Sequence, residues 1–135
     1  MDISKVLTFK QSVLSEVSSI NEPDKKNMDI ANNLNISTNI SYSEVNRLIK
    51  CSMNINLWLN GGSLKFKFRV FSIFDVCGEE SVENIADMVS DNVKYMNYIR
   101  VPAISLVAKI ISDLTYDMNG LSDIIPIESF LEQEE

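Results

Sequence analysis

Three carboxylates recur at four-residue spacing in the second half of the chain and form its clearest candidate for catalysis. Glu83, Asp87 and Asp91 share one face of a predicted helix. Neighbouring carboxylates can raise one another's pKa, so that one of them stays protonated and acts as a general acid. Acidic side chains are also favourable near the positively polarised amino-terminal end of a helix. We therefore interpret the three residues as a solvated acidic helix face.

The other reactive side chains give little support for an enzyme. The sequence has no histidine, which removes the commonest general base and the usual partner of a serine or cysteine nucleophile. Cys51 and Cys77 lack C-x-x-C spacing, and we interpret both as buried free thiols that behave as small hydrophobic residues. The glycines build no phosphate-binding motif. We expect no enzymatic activity, no cofactor and no metal site.

Length and composition point to one soluble globular domain over residues 1–135. Hydrophobic residues make up 45% of the 135 positions, which is sufficient for a single core. The net charge of −7 and the dispersed basic residues disfavour nucleic-acid binding. The apolar runs are far shorter than the roughly 20 residues that span a bilayer, and the amino terminus lacks the pattern of a signal peptide. We expect a cytoplasmic protein that binds neither nucleic acid nor membrane.

Alternation of apolar and polar residues predicts three β-strands. Residues 47–59 and 63–76 form a hairpin around Asn60-Gly61-Gly62, and residues 34–42 form a further half-buried strand. One face of the hairpin is expected to carry Ile49, Cys51, Met53, Ile55, Leu57, Leu64, Phe66, Phe68 and Val70. Periodicity does not decide between a helix and a strand for residues 3–20. If this segment is a strand, five of its residues share one face: Phe9, Gln11, Val13, Ser15 and Val17.

A helical pattern follows Gly78. Apolar residues recur at three- and four-residue spacing from Ile85 to Leu114, which predicts a long helix with one apolar stripe. Because Pro102 removes a helical hydrogen bond, we expect the helix to be kinked or restarted there. The helical region should end at Asn119-Gly120, and a short terminal helix should follow Pro126. Some apolar residues lie outside the stripe and either widen the core or form a surface for subunits or clients: Tyr95, Tyr98, Val101 and Leu106.

The order of several motifs resembles the SecB family of export chaperones. RVFSIFDVCG (69–78) precedes an acidic helix start, KYMNYIRVPAIS (94–105) and finally IIPIESF (124–130). In that family the last strand ends in a Gly-Ile-Phe-x-Ile-x-Gly pattern, a helix begins with a Phe-Pro-Tyr-Ala-Arg-type motif, and a Pro-x-x-Phe-type loop leads into the final helix. The residues of this chain that match these motifs are Ser72 to Gly78, Tyr98 with Arg100, and Pro126 with Phe130.

The resemblance implies an α+β fold with a four-stranded antiparallel Greek-key sheet. A long kinked helix and a short C-terminal helix would pack on one face, and the first segment would be a strand. The resemblance also implies a homo-oligomer, either a dimer or a tetramer, assembled through the long helix and the first strand. The residues expected at the oligomer interface are Met96, Ile99, Arg100, Ala103, Val107 and Ile110.

The function that the resemblance implies is that of an ATP-independent holdase. Such a chaperone buries apolar parts of an unfolded polypeptide in hydrophobic grooves. Its client would be a preprotein in export or a dedicated partner such as an antitoxin. We expect the groove between the long helix and residues 121–130, lined by Phe71, Ile73, Tyr98, Leu121, Ile124, Ile127 and Phe130.

One departure from the family bears on the expected partners. The outward side of the fourth strand, where the export chaperone presents leucine and glutamate to the translocase motor SecA, carries Lys65, Lys67 and Arg69. This reversal of charge predicts that SecA binding is weak or absent. Two alternative functions therefore remain. The protein would be either a SecB-like chaperone of a toxin-antitoxin or mobile-element system, or an oligomeric interaction module without chaperone activity.

Overall fold

A four-stranded sheet and three helices make up the described part of the chain. The computed structural model describes residues 2–21, 33–59 and 64–119. The elements in chain order are α1 (Ile3–Val6), β1 (Leu7–Asn21), β2 (Asn33–Ser43), β3 (Leu48–Leu59), β4 (Leu64–Val76), α2 (Val82–Ser90) and α3 (Val93–Asn119). The short terminal helix expected after Pro126 lies outside the described residues.

The sheet is antiparallel throughout, with the strand order β1-β4-β3-β2. Strands β2, β3 and β4 follow one another as neighbours, whereas β1 lies beside β4, the last of the four described strands. This arrangement is a Greek key. The α2 and α3 helices pack on one side of the sheet, which we call the inner face; the opposite side is the outer face. The expected fold class is confirmed.

The predicted hairpin is confirmed, and its alternation holds along both strands. Met53 lies opposite Val70 and Ile49 lies opposite Phe74, and all four side chains are buried on the inner face. The pairing of β3 with β4 is continuous from Leu48 to Leu59. Every second residue of β4 therefore points to the outer face.

Two β-bulges explain why no simple period fits the first segment. The register of β1 against β4 shifts between Phe9 and Gln11 and again between Leu14 and Glu16. Each bulge adds one residue and so changes the face on which the following residues lie. Phe9 and Val17 are on the inner face, because they lie opposite the buried Phe74 and Phe68, whereas Gln11 and Val13 are on the outer face. The expectation that these residues share one face is wrong, although the segment is mainly a strand.

The helical region divides into two pieces, as expected, but not at Pro102. The side chain of Ser81 caps α2 by accepting a hydrogen bond from the backbone N–H of Asn84 at 3.1 Å. The α2 helix ends at Ser90, and the side chain of Asn92 accepts a hydrogen bond from the N–H of Tyr95 at 3.2 Å at the start of α3. Pro102 lies inside α3. An asparagine cap, and not the proline, separates the helices.

The core lies between the inner face and the two longer helices. Its largest fully buried side chains are Phe66, Phe68, Phe74, Leu7, Ile49, Met53, Ile55, Ile85, Ile99, Ile104 and Ile111. Two polar pairs interrupt it. The hydroxyls of Ser12 and Ser72 are 2.8 Å apart, and the Nε of Arg100 donates to the Oγ1 of Thr38 at 3.0 Å.

Burial within one chain corrects the predicted oligomer interface. Ile99, Ala103 and Val107 are completely buried, and Arg100 is 7% exposed, because this side of α3 packs against the sheet. These four residues belong to the core of the single chain and leave almost no area for a partner. Met96 and Ile110 are only partly buried, so they stay candidates for subunit contacts.

The two cysteines lie in different environments. Both are free thiols, as expected. Cys51 is completely buried on the inner face of β3, and burial raises the pKa of its thiol to about 11, although the nearby Arg100 guanidinium acts in the opposite direction. Cys77 follows the end of β4 and is exposed. The prediction that Cys77 is buried is wrong, because Cys77 lies beyond the end of β4, outside the strand whose inner face the helices cover.

Candidate functional site

An aromatic cluster lies where the start of β1 meets the inner face. The rings of Phe9 and Phe74 meet edge to face with their centroids 5.7 Å apart, and the rings of Phe74 and Tyr98 are 6.3 Å apart. The hydroxyl of Tyr98 donates a hydrogen bond to the carbonyl oxygen of Leu7 at 3.2 Å. Tyr98 thus joins α3 to β1 while its ring contacts apolar neighbours.

Apolar side chains on the inner face of β1 are only partly covered. Phe9 and Val17 are each 45% exposed, and Leu14 between them is half-buried against the core. We call Phe9, Leu14, Val17 and Tyr98 the inner β1 surface. Exposed large apolar residues on one strand are a common feature of surfaces that bind other polypeptides.

The predicted client groove does not exist as one surface among the described residues. Tyr98 lies on the inner side of the sheet, whereas Phe71 and Ile73 lie on the outer face, since they alternate with the buried Ser72 and Phe74. The sheet itself separates these two parts. The other expected groove residues lie outside the described residues: Leu121, Ile124, Ile127 and Phe130.

Phe9 and Val17 were missed as site residues. The bulges in β1 shift their side chains to the inner face, and no pattern in the sequence marks those bulges. The available signal is that the apolar residues of segment 3–20 fall at both odd and even positions, so one face of a regular strand cannot hold them all.

The outer face has an apolar depression at one end. A cavity of about 210 Å³ is lined by Ser41, Tyr42, Ser43, Leu48, Lys50 and Ile73. The Lys50 ammonium lies over the ring of Phe71, 4.3 Å from its centroid. Of the predicted set, Ile73 lines this depression, and Phe71 contacts Lys50, which also lines it.

The acidic helix face is open to solvent, as interpreted from the sequence. Glu83, Asp87 and Asp91 are exposed on and just after α2. In the described part of the chain, no group of three acidic or cysteine side chains is arranged to hold a metal ion. Partial desolvation, followed by the negative charges of Glu83, Asp87 and Glu44, raises the pKa of the nearby Tyr42 hydroxyl. This arrangement favours a neutral tyrosine and provides no activated nucleophile.

The helices give no sign of a membrane span. Among those in residues 2–21, 33–59 and 64–119, none combines the length and apolar character needed to cross a bilayer.

Comparison with known proteins supports the fold assignment. No protein-family model matches the sequence, and no curated protein is significantly similar to it. A SecB-like chaperone from Mycobacterium tuberculosis, solved in complex with a ChAD peptide from the HigA1 antitoxin, is similar in structure with a TM-score of 0.68 at 12% sequence identity, over 93% of this chain and 89% of that chain. A protein of unknown function from Streptococcus agalactiae is similar with a TM-score of 0.56 at 7% identity, over 89% of this chain and 96% of that chain. The chain therefore has a SecB-like fold.

Proposed function

We propose that this protein is an ATP-independent holdase chaperone that binds extended segments of unfolded polypeptide. The observation that carries the proposal is the inner β1 surface, where Phe9 and Val17 remain 45% exposed and Leu14 and Tyr98 are only partly buried. The SecB-like fold supports it, because a chaperone with this fold has been solved with an antitoxin peptide.

The physical basis of holding is the burial of apolar surface. Covering Phe9 and Val17 with client side chains gains roughly 25 cal/mol for each Å² removed from water. Such burial is not directional, so it requires neither a fixed client sequence nor nucleotide hydrolysis. The hydrogen bond from Tyr98 to Leu7 fixes one border of the surface. Client selection would then depend on apolar content and on an extended conformation.

A dedicated client such as an antitoxin fits this protein better than a broad role in export. The basic residues Lys65, Lys67 and Arg69 occupy the outer face, and we expect them to oppose docking of SecA. We further propose that the protein works in the cytoplasm as a homo-oligomer. Its subunit contacts would use partly buried residues, such as Met96 and Ile110.

The decisive experiment is suppression of aggregation of a chemically denatured test protein in the absence of ATP. We expect the wild type to suppress light scattering, and the double variant Phe9→Ser with Val17→Ser to lose most of this activity. The matched control is Val45→Ser with Met88→Ser, since Val45 is 94% exposed in the turn after β2 and Met88 is exposed on α2.

Circular dichroism and melting curves must show that both double variants remain folded. If the wild type holds no unfolded chain, or if the control loses as much activity as the β1 variant, the protein is an interaction module without holdase activity.

A further inference from the structure

The outer face differs in charge from the rest of the molecule. Among the described residues, the strand register places four basic side chains on this face, Lys50, Lys65, Lys67 and Arg69, and two acidic ones, Glu16 and Asp75. The whole chain has the opposite balance, with 12 basic and 19 acidic residues. Exposed acidic residues cluster instead on and around α2, for example Glu79, Glu80, Glu83, Asp87 and Asp91. The sheet therefore carries a locally positive surface on a negative protein.

Two of the cations are positioned over aromatic rings at opposite ends of this surface. The Lys50 ammonium is 4.3 Å from the ring centroid of Phe71, and the Lys65 ammonium is 5.2 Å from that of Trp58. Both distances are within the range of a cation–π interaction. Each pair offers a positive charge beside a half-buried apolar surface, so each can receive an acidic residue together with an apolar neighbour.

The other two cations are held between these pairs by one carboxylate. Glu16 lies 3.6 Å from Arg69 and 3.9 Å from Lys67, and Arg69 also donates from Nε to the side-chain oxygen of Asn54 at 3.1 Å. The side chains of Lys67 and Arg69 nevertheless stay about half exposed, at 47% and 56%. Because Glu16 neutralises only part of this charge, an acidic ligand can compete with it.

We propose that the outer face is a docking site for an extended, acidic segment of a partner polypeptide, separate from the inner β1 surface. Trp58 lies eight positions after Lys50 on β3, which corresponds to about 27 Å in a strand. An extended segment of about eight residues spans the two lysine–aromatic pairs. Its acidic side chains pair with the lysines, and its apolar side chains cover Phe71, Ile73 and Trp58.

A polypeptide fits this surface better than a nucleic acid does. A nucleic acid carries a negative charge at every phosphate, so a molecule with net charge −7 repels it along its whole length. Two of the four cations on the outer face are also already paired with the same carboxylate. A peptide can place its few charges at the two ends while it presents apolar side chains to the depression beside Ile73.

The test is fluorescence anisotropy with a labelled eight-residue peptide that carries glutamate at its two ends and leucine between them. We expect saturable binding that weakens with salt, and a reduction in affinity of about tenfold for Lys50→Glu with Lys65→Glu, because two screened charge contacts become repulsive. The matched control is Lys94→Glu with Lys109→Glu, which makes the same change of charge at exposed positions on α3. This control should bind nearly as the wild type does.

A further variant distinguishes docking from a general loss of structure. Glu16→Gln frees Lys67 and Arg69 and should tighten binding of the acidic peptide by a few fold. The proposal is overturned if a peptide in which lysine replaces glutamate binds equally well, if a single-stranded oligonucleotide binds more tightly, or if the α3 control loses as much affinity. Suppression of aggregation should be unchanged in Lys50→Glu with Lys65→Glu, so failure of this proposal is separate from failure of the holdase activity.

Discussion

Single polar residues in the core determine how α3 is seated on the sheet. Thr38 interrupts a row of apolar residues on the inner face of β2, and its hydroxyl accepts the hydrogen bond from Arg100. Ser72 interrupts the row on β4 in the same way and lies 2.8 Å from Ser12. A hydrogen bond to a charged group contributes about 1.5–3 kcal/mol, provided that its geometry is kept. The Arg100–Thr38 pair stabilises the observed alignment of α3 with β2, and the Ser12–Ser72 pair stabilises that of β1 with β4.

The buried thiol of Cys51 makes stability depend on pH in the alkaline range. Its pKa rises from an ordinary value of 9.0 to about 11 in the folded protein. The unfolded chain therefore releases this proton first as the pH rises. The contribution of the protonated Cys51 thiol to the free energy of unfolding is intact below pH 9. It is lost between about pH 9 and pH 11, at about 1.4 kcal/mol for each pH unit.

Denaturant unfolding of wild type and Cys51→Ala at several pH values tests this prediction. The difference in unfolding free energy between the two proteins should shrink above pH 9, because only the wild type has the thiol at this position. Comparing the two proteins cancels the contributions of tyrosines and lysines that titrate in the same pH range, because both proteins contain them. A difference that stays constant up to pH 11 contradicts the assignment.

At the scale of elements, the link between β4 and α2 depends on two residues with positive φ. Gly78 has φ 94° and Arg47 has φ 50°. The Arg47 guanidinium donates to the carbonyl oxygens of Gly78 and Glu80 at 3.0 and 2.9 Å, and the Arg47 carbonyl accepts from the N–H of Val76. The β2–β3 turn thereby holds the β4–α2 link and fixes where α2 begins.

Gly78→Ala should destabilise the protein by about 1–2 kcal/mol through backbone strain. A steric clash is not the cause, because an added Cβ meets nothing within 4 Å. Gly78→Asn is the matched control and should cost less, since asparagine tolerates positive φ better than alanine. Thermal and urea unfolding measure both variants. A Gly78→Ala variant as stable as the wild type would show that the β4–α2 link does not need a positive φ at residue 78.

The elements also show which features the sequence can predict. The hairpin was predictable because β3 and β4 alternate without interruption and enclose a glycine-rich turn. The face of each β1 residue was not, since Lys10 and Ser15 occupy bulges that depend on pairing with a distant strand. The break between α2 and α3 has a local signal in Asn92, whereas Pro102 lies inside α3 without ending it. The alternation of β4 places Phe71 on the same side as Lys67 and Arg69, so a groove that combines Phe71 with Tyr98 conflicts with the predicted hairpin.

At the scale of the whole molecule, Ile99, Ala103 and Val107 of α3 belong to the core of the single chain. Val107→Asp should therefore unfold the chain rather than separate folded subunits. An unpaired carboxylate at a completely buried position costs several kcal/mol, a large part of the stability of a typical domain.

Circular dichroism and light scattering together test this prediction. The neighbouring exposed residue provides the control, since Lys109→Asp should leave the fold intact. Loss of helical signal in Val107→Asp confirms a core position. If the Val107→Asp variant is instead a folded monomer, Val107 lies at a subunit interface.

The Greek-key order also constrains how the protein acquires its structure. The β1 strand leaves the ribosome first, yet Leu7 pairs with Val76 and Asn21 with Leu64, so all of β2 and β3 must be made before it can pair. Long-range pairing of this kind slows folding. The meander of β2, β3 and β4 can form early with one edge of β4 open, and β1 closes that edge last. Until β4 has been synthesised, β1 has no partner strand, so its apolar side chains are available for contacts of the kind that we propose the finished protein makes with its clients.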